Sequence, residues 1–270
     1  MNSYYSLLFL LLLATGTVSA KPLYQQQLEA ATISEKTLQK ARKQIKEHKE
    51  IKLQDKIAVA PFHKRAEQET MARQAMCMSC HLALPHRKNE RSRSFMNMHS
   101  RYIACETCHL RPKKSQLDYR WLAYDGPEAG KIVAPRSTST VKQTDKKDTR
   151  KIKQKKSPLA PIVGARIAPF LNDEAVLLFK DSDFAQQTAR DWKEANTEQR
   201  ARLKARLHSP LEEKGPACKA CHSKEQPILD LKALGATAKQ LNAMQRNTVV
   251  RFFERYKKDD ERIRIGNILK

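Results

Sequence analysis

Cys77-Met78-Ser79-Cys80-His81, Cys105-Glu106-Thr107-Cys108-His109 and Cys218-Lys219-Ala220-Cys221-His222 are three copies of one pattern, C-x-x-C-H, and together they use all six cysteines of the chain. With eight histidines in 270 residues, a histidine follows any given position about 3% of the time, so three in three trials arise by chance on the order of once in thirty thousand. On a helical turn, residues three and four apart share a face. Each copy therefore turns two thiols and an imidazole the same way, which suits two thioether bonds to the vinyl groups on one edge of a haem and a bond from histidine to its iron. The expectation is three covalently attached haem c groups. Cys77, Cys80, Cys105, Cys108, Cys218 and Cys221 would hold them, and His81, His109 and His222 would ligate the irons.

Other uses of these cysteines fit less well. Six cysteines in an exported chain could form three disulfides in any of fifteen connectivities, but that leaves three adjacent histidines unexplained. Zinc on the first two motifs would need a loop longer than the usual ribbon and leaves the third motif solitary. A redox-active C-x-x-C wants a βαβ context, and no such pattern is visible.

The first twenty residues carry no charged side chain, and the greasy run Leu7–Ala14 leads to Thr17-Val18-Ser19-Ala20. This is the order of a secretory signal peptide cleaved near Ala20, although the segment before the run offers only the terminal amine as positive charge. The apolar run is too short for a bilayer span of roughly 18 residues, so a polytopic membrane protein is not expected. The expected location is the periplasm, where haem c attachment also takes place.

Composition points the same way. The chain has 52 Lys and Arg against 29 Asp and Glu, a net charge of +23, with 6% aromatic residues and a mean hydropathy of −0.69. So little apolar material does not fill a large core, and something else is expected to occupy the interior. The positive surplus suits an acidic protein or an anionic lipid surface, and export removes nucleic acid as a natural partner.

Each iron wants a second axial ligand unless its site is open. Five histidines lie outside the motifs: His48, His63, His86, His99 and His208. His99, six residues ahead of Cys105, is the leading distal ligand, followed by His63 and His208, which precede the first and third motifs. His86, in the basic turn Leu84-Pro85-His86-Arg87-Lys88, is either a ligand or an exposed histidine. His48 shares a helical stripe with Leu38, Ala41 and Ile45 and reads as a packed histidine. Met71, Met76, Met78, Met96 and Met98 read as gap-fillers, with a single methionine ligand left open.

The expected fold is mostly α with long loops and little or no β, organised around its haems. After the signal peptide (1–20) comes a charged helical arm (21–56), opened by Ser34-Glu35-Lys36-Thr37. A dihaem domain (57–125) follows, with Tyr119, Trp121 and Tyr124 as core aromatics. A basic flexible linker (126–158) then has ten Lys and Arg against two Asp between Lys131 and Ser157. A helical domain with one haem (159–270) completes the chain. There, Phe184, Thr188, Trp192 and Ala195 start a stripe that Leu203 and Leu207 continue to His208, and Thr237-Ala238-Lys239-Gln240 is a capping box ahead of Leu241, Met244, Phe252, Phe253 and Tyr256 on a buried face.

With its repeated motif in an exported chain, the sequence resembles the multihaem c-type cytochromes, here a triheme one. More locally, the first two motifs with His99 between them and Leu110-Arg111-Pro112 behind resemble the paired haem motifs of the membrane-anchored quinol-oxidising cytochromes of the NapC/NirT type. That second likeness covers about 36 residues and departs from the family in motif number and anchor. The resemblances imply a periplasmic relay in a respiratory chain, passing electrons to or from acidic redox partners such as other cytochromes or a terminal reductase, with contact to anionic membrane through the basic linker. A carrier is favoured over a haem enzyme or reductase subunit with one open iron for a small oxyanion or sulfur compound, because histidines outnumber the vacancies. A haem-based sensor or assembly factor has only the linker in its favour.

Overall fold

The computed structural model describes residues 21–47, 73–82, 84–86, 95–124, 127–134, 164–248 and 250–251. The signal segment, His48, His63, Met71, Phe252, Phe253, Tyr256 and the basic linker from 135 onward lie outside the described residues.

Helices predominate. Two short ones come first among the described residues: α1 (Leu23–Ala30) and α2 (Glu35–Glu47). Ser34 caps α2 by accepting the Thr37 amide at 3.2 Å. The first motif forms a 3₁₀ turn (Met76–Ser79), followed by α3 (Asn97–His99) and the second motif's helix α4 (Cys105–His109). Strands β1 (Asp118–Ala123), β2 (Ala165–Leu171) and β3 (Glu174–Ala175) come next, then α5 (Asp183–Glu194), α6 (Thr197–His208), the third motif's α7 (Lys219–His222) and α8 (Ala238–Gln245). Among the described residues no helix is long and apolar enough to cross a membrane.

The expectation of little or no β needs correcting. The strands form an antiparallel sheet in the order β1-β2-β3, with Trp121 opposite Ile167 and Leu122 opposite Arg166. β2 is buried on both faces over six of its seven residues, so it shows none of the polar alternation that marks a half-exposed strand. The sheet also joins segments from both sides of the basic linker.

Its two faces carry different loads. Leu122, Tyr124, Ala168 and Phe170 pack with Leu177, Phe179, Ala75 and Ala104. Ala75 and Ala104 are the residues just ahead of the first and second motif turns, so this cluster seats both. From the other face, Tyr119, Trp121 and Ile167 pack with Leu229, Leu234 and Cys221 of the third motif, and Trp121 donates its indole N–H to the Leu234 carbonyl at 2.9 Å. The aromatics are thus core residues, with the sheet as their scaffold.

The arm lies across α6. Leu38, Ala41 and Ile45 pack on Ala201 and Ala205, whose small side chains at helical spacing let the two axes approach closely. The stripe expected as one helix up to His208 is two helices instead. Asn196 breaks it, accepting the Gln199 amide at 2.9 Å while Gln199 reaches back to the Asn196 amide at 2.8 Å. The capping box at Thr237 forms with Gln240, but Met244 of α8 is 37% exposed rather than buried.

Arg42 of α2 grips Glu198 of α6 with two bonds of 2.8 and 2.7 Å. These bonds hold the Glu198 carboxyl down at about 2, below its ordinary range. A carboxylate whose pKa is depressed on folding stabilises the fold above its unfolded pKa and loses that contribution as pH falls toward the folded value. Glu198→Gln is therefore expected to lower the unfolding temperature near neutral pH, with the gap to the parent protein closing as pH drops from about 5 toward 2. A gap that persists at the acid end would show that the ion pair is not its source.

Candidate functional site

All three motifs fold into one tight turn each. The amides of His81 and His222 donate to the carbonyls of Cys77 and Cys218, both at 3.0 Å, and Cys105–His109 is a helical turn of α4. The first turn is anchored by Met76 N–H to Leu178 O at 2.8 Å, the second by Ala104 N–H to Ile167 O at 2.9 Å. Thr107, within the second motif, adds a buried bond of 2.8 Å from its hydroxyl to the same Ile167 carbonyl.

Every motif histidine faces exactly one histidine from elsewhere in the chain among the described residues. His81 lies opposite His208, the last residue of α6, with ring centroids 5.9 Å apart and planes at 70°. His109 lies opposite His86 at 6.4 Å and 17°. His222 lies opposite His99, the last residue of α3, at 6.0 Å and 87°. An ion bonded to both imidazoles at about 2.0 Å would set the centroids about 6.3 Å apart. The near-parallel pair at 6.4 Å leaves a gap that direct ring stacking would close.

The rings are fixed by their outer nitrogens. Nδ1 of His99, His109, His208 and His222 bonds to the carbonyls of Phe95, Glu212, Lys204 and Met244 at 2.7, 2.7, 2.8 and 3.1 Å. A carbonyl only accepts, so each of these Nδ1 atoms carries a proton, and Nε2 is the ring nitrogen that would be available to a ligated ion. His86 is held by Asn97, whose Oδ1 accepts the His86 amide at 3.0 Å and lies 3.2 Å from its Nδ1, while Nδ2 donates to the His86 carbonyl at 3.0 Å. Burial pushes both His81 and His208 below the ordinary histidine range, with the His208 imidazole adding to the effect on His81 and the Lys204 ammonium to that on His208. That direction favours the neutral ring that a metal ligand requires.

Among the described residues, no group of three or more His, Cys, Asp or Glu converges as a ligand set for an ion. Zinc takes about four protein ligands. The donors here come in pairs, which suits a metal whose remaining positions are filled by a macrocycle. The surroundings agree: Met98, Tyr102 and Met244 flank the His99–His222 pair and are 49%, 43% and 37% exposed, an apolar margin for a flat ring system. All six thiols are free of disulfides. Burial raises those of Cys80, Cys108 and Cys221, and a bond to the Cys105 thiol followed by burial raises that of Cys77, while the same bond lowers that of Cys105.

The second motif sits between the other two. The Cys77 thiol bonds Glu106 Oε1 at 3.2 Å and lies against the Cys105 thiol, while Cys108 and Cys221 are electrostatic neighbours. Glu106 is 1% exposed, and burial raises its carboxyl above the usual range.

Of the distal ligands expected from sequence, His99 and His208 stand opposite motif histidines, while His63 lies outside the described residues. His86 takes a place that sequence had left open. Asn97 went unnoticed, though its position eleven residues beyond His86 and two before His99 ties both distal segments together. Comparison with protein-family models, with curated proteins and with solved structures finds no match to this chain.

Thr107→Val keeps the shape and removes only the hydroxyl bond that seats α4 on β2. It is expected to cost about 1 kcal/mol of unfolding free energy by denaturant titration. An unchanged midpoint and slope would mean that the bond carries none of the motif's anchorage.

Proposed function

We propose that this chain is an exported triheme c-type cytochrome that relays electrons between protein partners. The three histidine pairs carry this reading, because each motif that could attach a haem also has an imidazole waiting on the far side of the iron position. When bound, each haem supplies an iron that takes up and gives back one electron. The thiols of each motif would fix the macrocycle, and the paired imidazoles His81 with His208, His109 with His86 and His222 with His99 would ligate its iron. Histidine on both sides needs no ligand exchange between oxidation states and keeps potentials low.

The same pairs weigh against a haem enzyme, since a substrate would need one iron position that no side chain fills. The surplus of cations steers an acidic redox partner at salt-dependent rates. The basic linker adds a polycationic stretch for such a partner or for an anionic membrane surface.

His208→Ala, His86→Ala and His99→Ala should each open one centre, so that the reduced protein shifts about one third of its haem absorbance under carbon monoxide while the parent stays unchanged. Asn97→Ala should produce a smaller shift at the His86 centre, because His86 loses its clamp. A parent protein that binds carbon monoxide at a third of its haem would favour the enzyme reading. A histidine variant without response would overturn that ligand assignment.

A further inference from the structure

Arg111 follows the second motif by two residues and stands where the second and third motifs meet. It is the positive neighbour felt by Cys108 of the second motif, by Cys221 of the third and by Tyr119 of β1. Tyr119 and Cys221 pack in one cluster. Gly215 closes the junction from the third segment, placed so that a side chain there would meet Cys108 Cβ at 3.5 Å. Arg111 is partly buried, and its Nε is buried without a hydrogen-bond partner.

A buried guanidinium donor with no acceptor is costly, and natural proteins supply one. Among the described residues no carboxylate pairs with Arg111. The planar fork of an arginine matches a carboxylate through two parallel bonds, and haem brings two carboxylates of its own. We propose that Arg111 binds a haem carboxylate at the junction of the second and third centres, and that its charge raises the potentials of both. This rests on the triheme reading. Lys180 and Lys204 are the positive neighbours of Cys80 in the first motif, so the first centre has its own cations and does not depend on Arg111.

A unit charge about 10 Å from an iron at an effective dielectric near 20 changes the reduced-to-oxidised ratio about tenfold, which for a one-electron centre is about 59 mV. The test is a spectroscopic redox titration of mature Arg111→Met and Arg111→Lys holoproteins beside the parent. Arg111→Met should lower the ratio about tenfold at two of the three haems and leave the third within about twofold, while Arg111→Lys should restore most of the difference. Midpoints that stay in place, or three that move together, would overturn the assignment. If Arg111→Met does not mature, Arg111→Gln serves in the same titration. Intact mass separates the two levels of the argument: a parent protein without three haem increments defeats the triheme reading itself, whereas a full haem complement with unmoved potentials defeats only the role of Arg111.

Discussion

An axial position on each side of a flat macrocycle demands two imidazoles, one beside the thiols that fix the ring and one delivered from another part of the chain. On the triheme reading proposed above, that demand would organise the described structure. The near imidazole comes from a tight turn in all three motifs, where the first cysteine and the histidine are linked by the turn's own hydrogen bonding. The far imidazoles come from a helix end (His208), a loop (His86) and a one-turn helix (His99). The two faces of the β1–β2 sheet then divide the labour, with Ala75 and Ala104 seating two motifs on one side and Ile167 and Trp121 receiving the third on the other. The apolar core is correspondingly fragmented into small clusters, since ring systems between the motifs would bury surface that side chains do not.

Charge follows the same plan. Glu106 lies buried where the first and second motifs touch and Arg111 where the second and third do, so the two junctions carry groups of opposite type. Helix-to-helix contact is secured separately by exposed pairs such as Arg42 with Glu198, which hold the arm on α6. On the proposed reading, the large net charge of +23 would act on encounter with a partner rather than on the fold.

The parts legible in sequence are those whose signal is local. C-x-x-C-H, the Ser34 and Thr237 caps and the Leu38–Ala41–Ile45 stripe each depend on residues a few places apart. The sheet was hidden because β2, Ala165 to Leu171, is covered on both sides and so reads as an apolar run without period. The break at Asn196 was hidden because the apolar spacing carries on across it, and only the Asn196–Gln199 cap reveals two helices. His86 was ambiguous for a different reason. Its basic neighbours suggest solvent, and what places it opposite His109 is Asn97, a residue with no chemical signature until the two segments are seen side by side.

Ring orientation offers the most direct test of the three-pair arrangement. Perpendicular imidazole planes leave the upper iron d orbitals of a ferric haem nearly degenerate, whereas near-parallel planes split them, and electron paramagnetic resonance separates the two as large-anisotropy and rhombic low-spin signals. With plane angles of 70°, 17° and 87°, the fully oxidised holoprotein is expected to give two low-spin signals of large anisotropy and one rhombic signal, and His86→Ala should remove the rhombic one. A high-spin ferric signal from the parent protein, or the absence of any haem iron, would contradict the account.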